Sequence, residues 1–576
     1  MTACPSVRWR AAAGLLLLAN LLSRVPADAQ QTPAGALSGS RLIDNGRLDQ
    51  VPPAAVPTSQ MTVPQMPIGG AVPTAPAALA ARQFLLTELV VDGARSVPAE
   101  AIAATWRARQ GQRVSVADIY AIAKAIGEVY ARSDIALYSV YVPRQPFDGT
   151  PVHIRVVEGF VAAVSIEGDT EGADLDLLKR YAARIVADRP LRRTTLERYI
   201  LLMNEIAGMK VGSKFEAMTP PPGDSVLADI VPGAVRLRLG IARKPIDYGF
   251  GFNNQGASVL SRVQVDANVV ANSVFREGDR TQLVFGAPIT IDRYQYYGLS
   301  HVEPIGSDGA TLTASLGDLI THPKRLLIGG DAVIASLQGS YPIILRTREA
   351  LNVNASLDAL DSNNAVLGTT LSDERTRTLR LGAAYAVQDK SGAISSVTII
   401  ASEGINALGA RPGGLGYGGP GFTKVTVRLT REQPLPEPFV ARVKLAGQYT
   451  PDHLPASEAF AYGGIDFGQA FETATLFGDE AVAAAAELAY KLPDQWTSPW
   501  HGQSEAFVFG DWARVWNIHT IYAVPTDEGA STGVGVRSKI LDKVSLQLEA
   551  AHVLIQPRSV PKSQEWRFVA QLTGTF

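Results

Sequence analysis

The sequence holds a single cysteine, Cys4, so neither an intrachain disulfide nor a cysteine-based metal centre is available. Charge is scarce as well: 19% of residues are charged and the net charge is −2. Neither a basic field for nucleic acid nor an acidic tail is present. Long apolar runs are missing beyond the N-terminal region, although 46% of residues are hydrophobic. A transmembrane helix needs about 18 or more apolar residues in succession, so an ordinary helical membrane protein is excluded. A transmembrane barrel is not, because alternation spreads its apolar residues along each strand. No G-x-x-x-x-G-K-[ST] occurs, which leaves no P-loop for ATP. The seven histidines form no H-x-x-x-H pair, and His301-x-Glu303 reads as a loop edge. No metal, no cofactor and no nucleic-acid partner is expected.

What is present begins with a secretory signal pattern. Arg8 and Arg10 precede the apolar run Ala11–Leu22, and Ala27-Asp28-Ala29 makes a small-x-small cleavage site before Gln30. Residues 1–29 are therefore expected to be removed, Cys4 with them. Residues 30–82 are Pro/Ala/Gly/Gln-rich, with eight prolines from Pro33 to Pro76, and read as an extended linker. A short helix over Ala36–Gln50 is the one element expected within it.

Two similar units follow, at 83–159 and 160–243. Leu89-Val90-Val91-Asp92-Gly93 and Val164-Ser165-Ile166-Glu167-Gly168 are short strands that each end in a glycine turn. Two helical stretches come after each. The second helix of each unit opens with a capping-box pattern, Ser115-x-x-Asp118 and Thr194-x-x-Glu197. Ile119, Ile122, Ile126 and Val129 recur at helical spacing, as do Leu196, Ile200 and Met203. Strands return at Tyr138–Val142, Val152–Val157 and Val235–Ile241. This is an internal repeat of small α+β units.

From 244 to 576 the texture becomes period two. Val263, Val265, Ala267 and Val269 alternate with Arg262, Gln264, Asp266 and Asn268. At about 9–11 residues per membrane strand plus turns, a stretch of roughly 330 residues suits about sixteen strands. Such strands satisfy their edges in lipid only by closing, so a transmembrane antiparallel β-barrel is expected. In the last strand Trp566, Phe568, Ala570, Leu572, Gly574 and Phe576 share one face.

Other motifs carry less. Gly529-Ala530-Ser531-Thr532-Gly533 fits the serine nucleophile elbow, but that elbow needs a helix after it. Here Val534-Gly535-Val536-Arg537 reads as a strand, so the motif is taken as a glycine-bearing turn. No hydrolase is expected, and Ser531→Ala should leave function untouched. Gly249-x-Gly251 and the glycine loop Gly413–Gly421 have no following helix to bind phosphate.

The chain resembles the haemolysin secretion/activation family of two-partner secretion transporters. In the first unit the likeness lies in Tyr130, Tyr141-Val142-Pro143-Arg144-Gln145, Asp148-Gly149 and Val156-Val157-Glu158-Gly159, similar to that family's POTRA pattern. Pro143, Gln145, Gly149, Glu158 and Gly159 are its motif positions. The second unit matches more loosely, through Met203–Gly208 and Met218-Thr219-Pro220. In the barrel, Gly278-Asp279, Glu303-Pro304-Ile305-Gly306 with Gly309, and Tyr341–Arg346 look like family landmarks. Phe568, Leu572 and Phe576 resemble the C-terminal signal read by barrel-assembly machinery, with Gly574 where a bulkier residue is usual.

The resemblance also implies a loop that enters the barrel with a V-R-G-[YF] tip. Its arginine pairs with the aspartate of an F-x-D motif on the inner wall. Gly468-Gln469-Ala470-Phe471 falls on the tip and Phe509-Gly510-Asp511 on the wall motif. Gln469 thus replaces the arginine and is expected to offer a neutral amide to Asp511. The function implied is an outer-membrane pore that secretes one large, β-helical exoprotein. POTRA units in the periplasm would capture the client unfolded, without ATP. The alternative within the superfamily is a barrel that assembles other outer-membrane proteins; a porin would need neither repeat.

Overall fold

The computed structural model describes residues 74–218 and 232–576, with short breaks at 259, 323–327, 367–368, 414–417, 494–502, 519–523, 541–542 and 560–564. The leader, the linker helix at Ala36–Gln50, Thr219-Pro220 and the middle of the Gly413–Gly421 loop lie outside the described residues. Two compact units emerge, one ending at Arg243 and the other running from Lys244 to Phe576.

The first unit contains two copies of one topology. In the first copy, strand β1 (Gln83–Leu85) is followed by β2 (Leu89–Asp92), α1 (Ala99–Ala103), β3 (Arg113–Ser115), α2 (Val116–Arg132), β4 (Tyr138–Tyr141) and β5 (Val152–Glu158). In the second copy come β6 (Phe160–Gly168), α3 (Asp176–Ala187), α4 (Arg193–Asn204), β7 (Met209–Ala217) and β8 (Ala234–Arg243). The sheets run β2-β5-β4 and β6-β8-β7, each with one parallel and one antiparallel pairing. The glycines that close the first strands do the same job twice. A Cβ on Gly93 would lie 2.2 Å from the Val156 carbonyl oxygen, and one on Gly168 would lie 2.2 Å from that of Ile241. Both have φ near +90°, which glycine alone takes freely.

Helix α2 buries Ile119, Ile122, Ile126 and Tyr130 along one stripe and starts in a complete Ser115/Asp118 capping box. Helix α4 departs from expectation. Its N-cap is Arg192, with no side-chain cap, and Thr194 lies inside the first turn. Asp134 of the first copy accepts from the Thr194 backbone N–H at 3.0 Å and its hydroxyl at 2.8 Å. A carboxylate from the neighbouring copy thus supplies the cap, accepting from the first turn and placing negative charge at the helix N-terminus. Backbone bonds reinforce this joint, from Leu191 N–H to Gly159 O (2.9 Å) and from Ala136 N–H to Leu191 O (2.8 Å).

The first copy's motif residues hold it together. The Glu158 carboxylate accepts from the backbone N–H groups of Arg95 and Ser96 (3.0 and 2.8 Å), the Ser96 hydroxyl (2.7 Å) and the Tyr130 hydroxyl (2.7 Å). Burial pushes its pKa up, but the hydrogen bonds outweigh burial and hold it below the usual carboxylate value. Gln145 exchanges two 2.7 Å bonds with the His153 backbone, Gly149 turns at φ +98°, and the Gly159 N–H donates to Leu137 O at 2.7 Å. Pro143 follows β4 by two residues.

The second unit is a closed antiparallel barrel of sixteen strands, from β9 (Ile246–Asn253) through β19 (Phe439–Tyr449) and from β22 (Glu480–Lys491) through β26 (Trp566–Thr575). Its alternation is inverted relative to a soluble protein. Along β10 (Gln264–Asn272), Gln264, Asp266, Asn268 and Asn272 are buried in the interior, while Val265 is 39% exposed on the outer face. Outer-face aromatics include Phe568 at 70% and Phe576 at 45% exposed. The barrel closes where β26 meets β9, in register over five residues from Gln571↔Asn253 to Thr575↔Gly249, fewer than any other neighbouring pair of the barrel's strands among the described residues. Gly574 sits there because Phe250 needs the room. A Cβ on Gly574 would lie 2.6 Å from the Phe250 ring, which stacks on Phe576 at 6.1 Å.

Candidate functional site

Between β19 and β22 the chain does not turn back directly. Residues 450–479 fold against the inner wall, through a hairpin of β20 (Phe460–Tyr462) and β21 (Leu476–Gly478). The hairpin's end is tight because Gly463, Gly464 and Gly468 all take positive φ. A Cβ on Gly463 would lie 2.2 Å from the Glu472 carbonyl oxygen, so only glycine fits. Phe460, Tyr462, Phe467, Phe471 and Leu476 bury together against Ala446, Ala483, Ala513 and Val515 of the wall. Small wall residues leave room for large loop residues.

The tip meets Asp511, which lies on the inner face of β23 (Ser504–Trp516) and is 6% exposed. Asp511 Oδ1 accepts from the Tyr462 hydroxyl at 2.6 Å and the Gly468 N–H at 2.9 Å. Oδ2 accepts from the Ser531 hydroxyl at 2.7 Å and the Gln469 N–H at 3.4 Å. Four uncharged donors therefore surround one buried carboxylate. The pairing differs from the expected one, because the tip presents its backbone to Asp511 and the Gln469 side chain points elsewhere. With its amide oriented to satisfy its neighbours, Gln469 Nε2 lies 2.8 Å from both oxygens of Glu549, on β25 (Val544–Ile555).

Ser531 also differs from expectation. It is fully buried in the middle of strand β24 (Thr526–Ile540), not in a turn, and no helix follows. The alternate residues 529, 531 and 533 face inward, each with a partner. A Cβ on Gly529 would lie 2.7 Å from the Tyr462 ring, Ser531 binds Asp511, and a Cβ on Gly533 would lie 2.6 Å from the Phe509 ring. The G-x-S-x-G spacing is a period-two seat for aromatics and a carboxylate, not a nucleophile elbow. Phe509 also joins Ala470, Ala489, Phe507 and Ala551 in a small buried cluster under the tip.

A second set of contacts holds the base of the loop. Residues Ala456–Glu458 form a single 3-10 turn, and Glu458 is 4% exposed. It accepts from Arg380 of β16 (Thr369–Gln388) at 2.7 and 3.1 Å, and pairs with Lys424 of β18 (Thr423–Pro434) at 2.7 Å. Arg380 also binds Asp358 at 2.8 Å. At the other foot, Asp479 accepts from the Leu454 N–H at 2.9 Å and the Ile518 N–H at 2.7 Å, and meets His453 Nδ1 at 2.9 Å. Sequence reasoning missed this set, since Arg380, Lys424 and Glu458 are far apart in the chain. Glu472, just after Phe471 in the tip segment, accepts from Ser258 at 3.0 Å, and Arg567 of β26 donates to the Phe471 carbonyl.

His301 and Glu303 come near Asp279, with potential ligand atoms all within 4.8 Å. The Asp279 oxygens already accept from the N–H groups of Val274, Phe275 and Arg276 at 2.7–3.3 Å, which fastens the turn before β11 (Arg280–Pro288). That is the geometry of a turn staple.

A membrane barrel preceded by repeated small α+β units, with one of its own loops folded inside, is the architecture of an outer-membrane polypeptide transporter. Residues 235–538 match the family described as haemolysin secretion/activation protein ShlB/FhaC/HecB, and residues 84–159 match the ShlB-type POTRA domain. Among curated proteins, the heme/hemopexin transporter protein HuxB of Haemophilus influenzae is 19% identical over 66% of this chain and 68% of its own. CdiB from Escherichia coli shares the fold with a TM-score of 0.68 at 17% identity, over 89% of this chain and 94% of that one. CdiB from Acinetobacter baumannii gives 0.59 at 15%, over 90% and 95%. The chain belongs to the haemolysin secretion/activation family, the outer-membrane transporters of two-partner secretion, whose POTRA domains lie in the periplasm.

Proposed function

We propose that this transporter secretes one large, β-helical exoprotein, captured unfolded by the POTRA units and passed outward without ATP. The observation that carries the capture step is the pair of open edges in the second POTRA copy. Strands β6 and β7 each pair only with β8, which leaves both outer edges unpaired among the described residues. An extended client can add a strand there through main-chain hydrogen bonds, with little demand on its sequence. The chain has no P-loop, so folding of the client outside the cell is the driving force. The C-terminal residues Phe568, Leu572 and Phe576 serve the barrel's own insertion by the assembly machinery, and its outer face meets outer-membrane lipid. The inward loop, with its tip at Gly468-Gln469-Ala470-Phe471 and its seat at Phe509 and Asp511, plugs the resting pore.

The test is to identify the large exoprotein whose release depends on this transporter, looking first at the adjacent genes, then to delete residues 84–242 and follow that release. The barrel should still insert, and release of the exoprotein should fall at least tenfold. Undiminished release would refute capture by the POTRA units. If the deletion instead depleted other outer-membrane barrels, the protein would be an assembly factor.

A further inference from the structure

The inward loop is fastened by two chemically unlike sets of contacts, and the difference assigns a direction to its movement. At the feet the contacts are charged and buried: Glu458 lies between Arg380 and Lys424, at 2.7 Å from each, and Asp479 is 3% exposed under His453. At the tip, no cation among the described residues contacts Asp511; its donors are two hydroxyls and the backbone N–H groups of Gly468 and Gln469, the latter at 3.4 Å. The contact of the Ala470 N–H with Ser531 is also 3.4 Å long, and the ion pairs of this segment are long and solvent-accessible, Asp466 with Arg428 at 3.4 Å and Lys444 at 3.7 Å and Glu472 with Arg262 at 3.6 Å, so they hold far less than the short buried pairs at the feet. Uncharged donors can exchange a carboxylate for water at little loss, whereas withdrawing Glu458 pulls a buried carboxylate away from two buried cations. Backbone freedom follows the same division. The positive-φ residues of the loop, Gly463, Gly464, Gly468 and Ala474, all lie between β20 and β21, above the feet.

We propose that Glu458 is the positioning residue on which the loop pivots. During transport the tip, residues 463–475, leaves Asp511, while the feet at Glu458 and Asp479 stay on the wall. The loop thus swings aside within the barrel and does not withdraw as a whole. This rests on the secretion reading above.

The only cysteine is Cys4, so single cysteines placed at Ala470→Cys in the tip and Ala459→Cys beside Glu458 report each part separately. The full transporter, in outer-membrane vesicles, is labelled with a membrane-impermeant maleimide at rest and with the urea-unfolded exoprotein added. The tip cysteine should label at least tenfold faster when the exoprotein is present, and the Ala459→Cys rate should change less than twofold. In a Glu458→Gln background the root cysteine should label about as fast as the tip. Equal acceleration at both positions would overturn the pivot, as would no acceleration at the tip. Should Glu458→Gln fail to insert, the two single-cysteine rates decide the matter alone. Cells lacking the transporter that still released every large exoprotein would refute the secretion reading instead. The resting rates, with the tip expected at least tenfold faster than the root, would then judge the pivot.

Discussion

Asp511 shows how a change at one residue redistributes a contact. With glutamine in place of arginine at 469, the carboxylate is satisfied by Tyr462, Ser531 and two backbone N–H groups. Ser531 is therefore part of the seat, and Ser531→Ala should weaken it. Loss of one donor to a buried carboxylate costs about 1–3 kcal/mol. In planar bilayers this should appear as more frequent opening of the purified transporter. An unchanged record would mean that Tyr462 and the backbone suffice. Gln469 faces Glu549, so Gln469→Arg should form a new ion pair with Glu549 and not with Asp511. A guanidinium adds an opposite charge and a planar fork that can bind the carboxylate through two parallel bonds, so openings should become rarer and heat denaturation later. Both effects should vanish in a Glu549→Gln background.

At the scale of elements, the first POTRA copy depends on Glu158 as a hub for the turn after β2 and the end of α2. Its folded pKa is depressed, so its stabilisation is fully present above the unfolded value of about 4.3 and is lost as pH falls through the lower folded value. Hydrogen exchange at Arg95 and Ser96 should stay slow from neutral pH down to about 5 and accelerate only in stronger acid. Tyr130→Phe removes one hydrogen bond to the carboxylate and should move that acceleration to higher pH. The joint between the two copies shows why element boundaries are hard to read locally. Thr194 and Glu197 spell a capping box, yet the cap comes from Asp134, sixty residues upstream.

For the whole molecule, the weakest closure is the five-residue pairing of β26 with β9. Phe250 lies over Gly574 and stacks on Phe576, so the missing side chain at 574 is part of the closure. Gly574→Leu should overpack this contact at a cost of about 1–3 kcal/mol. The heat-induced mobility shift of the barrel on gels should then fall to lower temperature. Combining it with Phe250→Ala should recover part of the loss, since the two side chains compete for one space. Additive losses would show that Gly574 is needed for the backbone alone.

Local periodicity was enough to specify most of the architecture. The spacing of Ile119, Ile122 and Ile126 and the two strand-ending glycines, Gly93 and Gly168, mark the POTRA repeat; the alternation around Val265 marks a membrane strand. Both signals come from neighbours a few residues apart, where backbone geometry dictates which face a side chain takes. The inward loop was legible only as far as its glycines and its likeness to a family motif. Which donors reach Asp511, why Ser531 and Gly574 occupy their positions, and how Glu458 meets Arg380 and Lys424 were decided by closure of the barrel. Closure brings strands distant in sequence onto one inner wall. A buried charge there takes whichever partner the wall presents, and no local pattern records that choice.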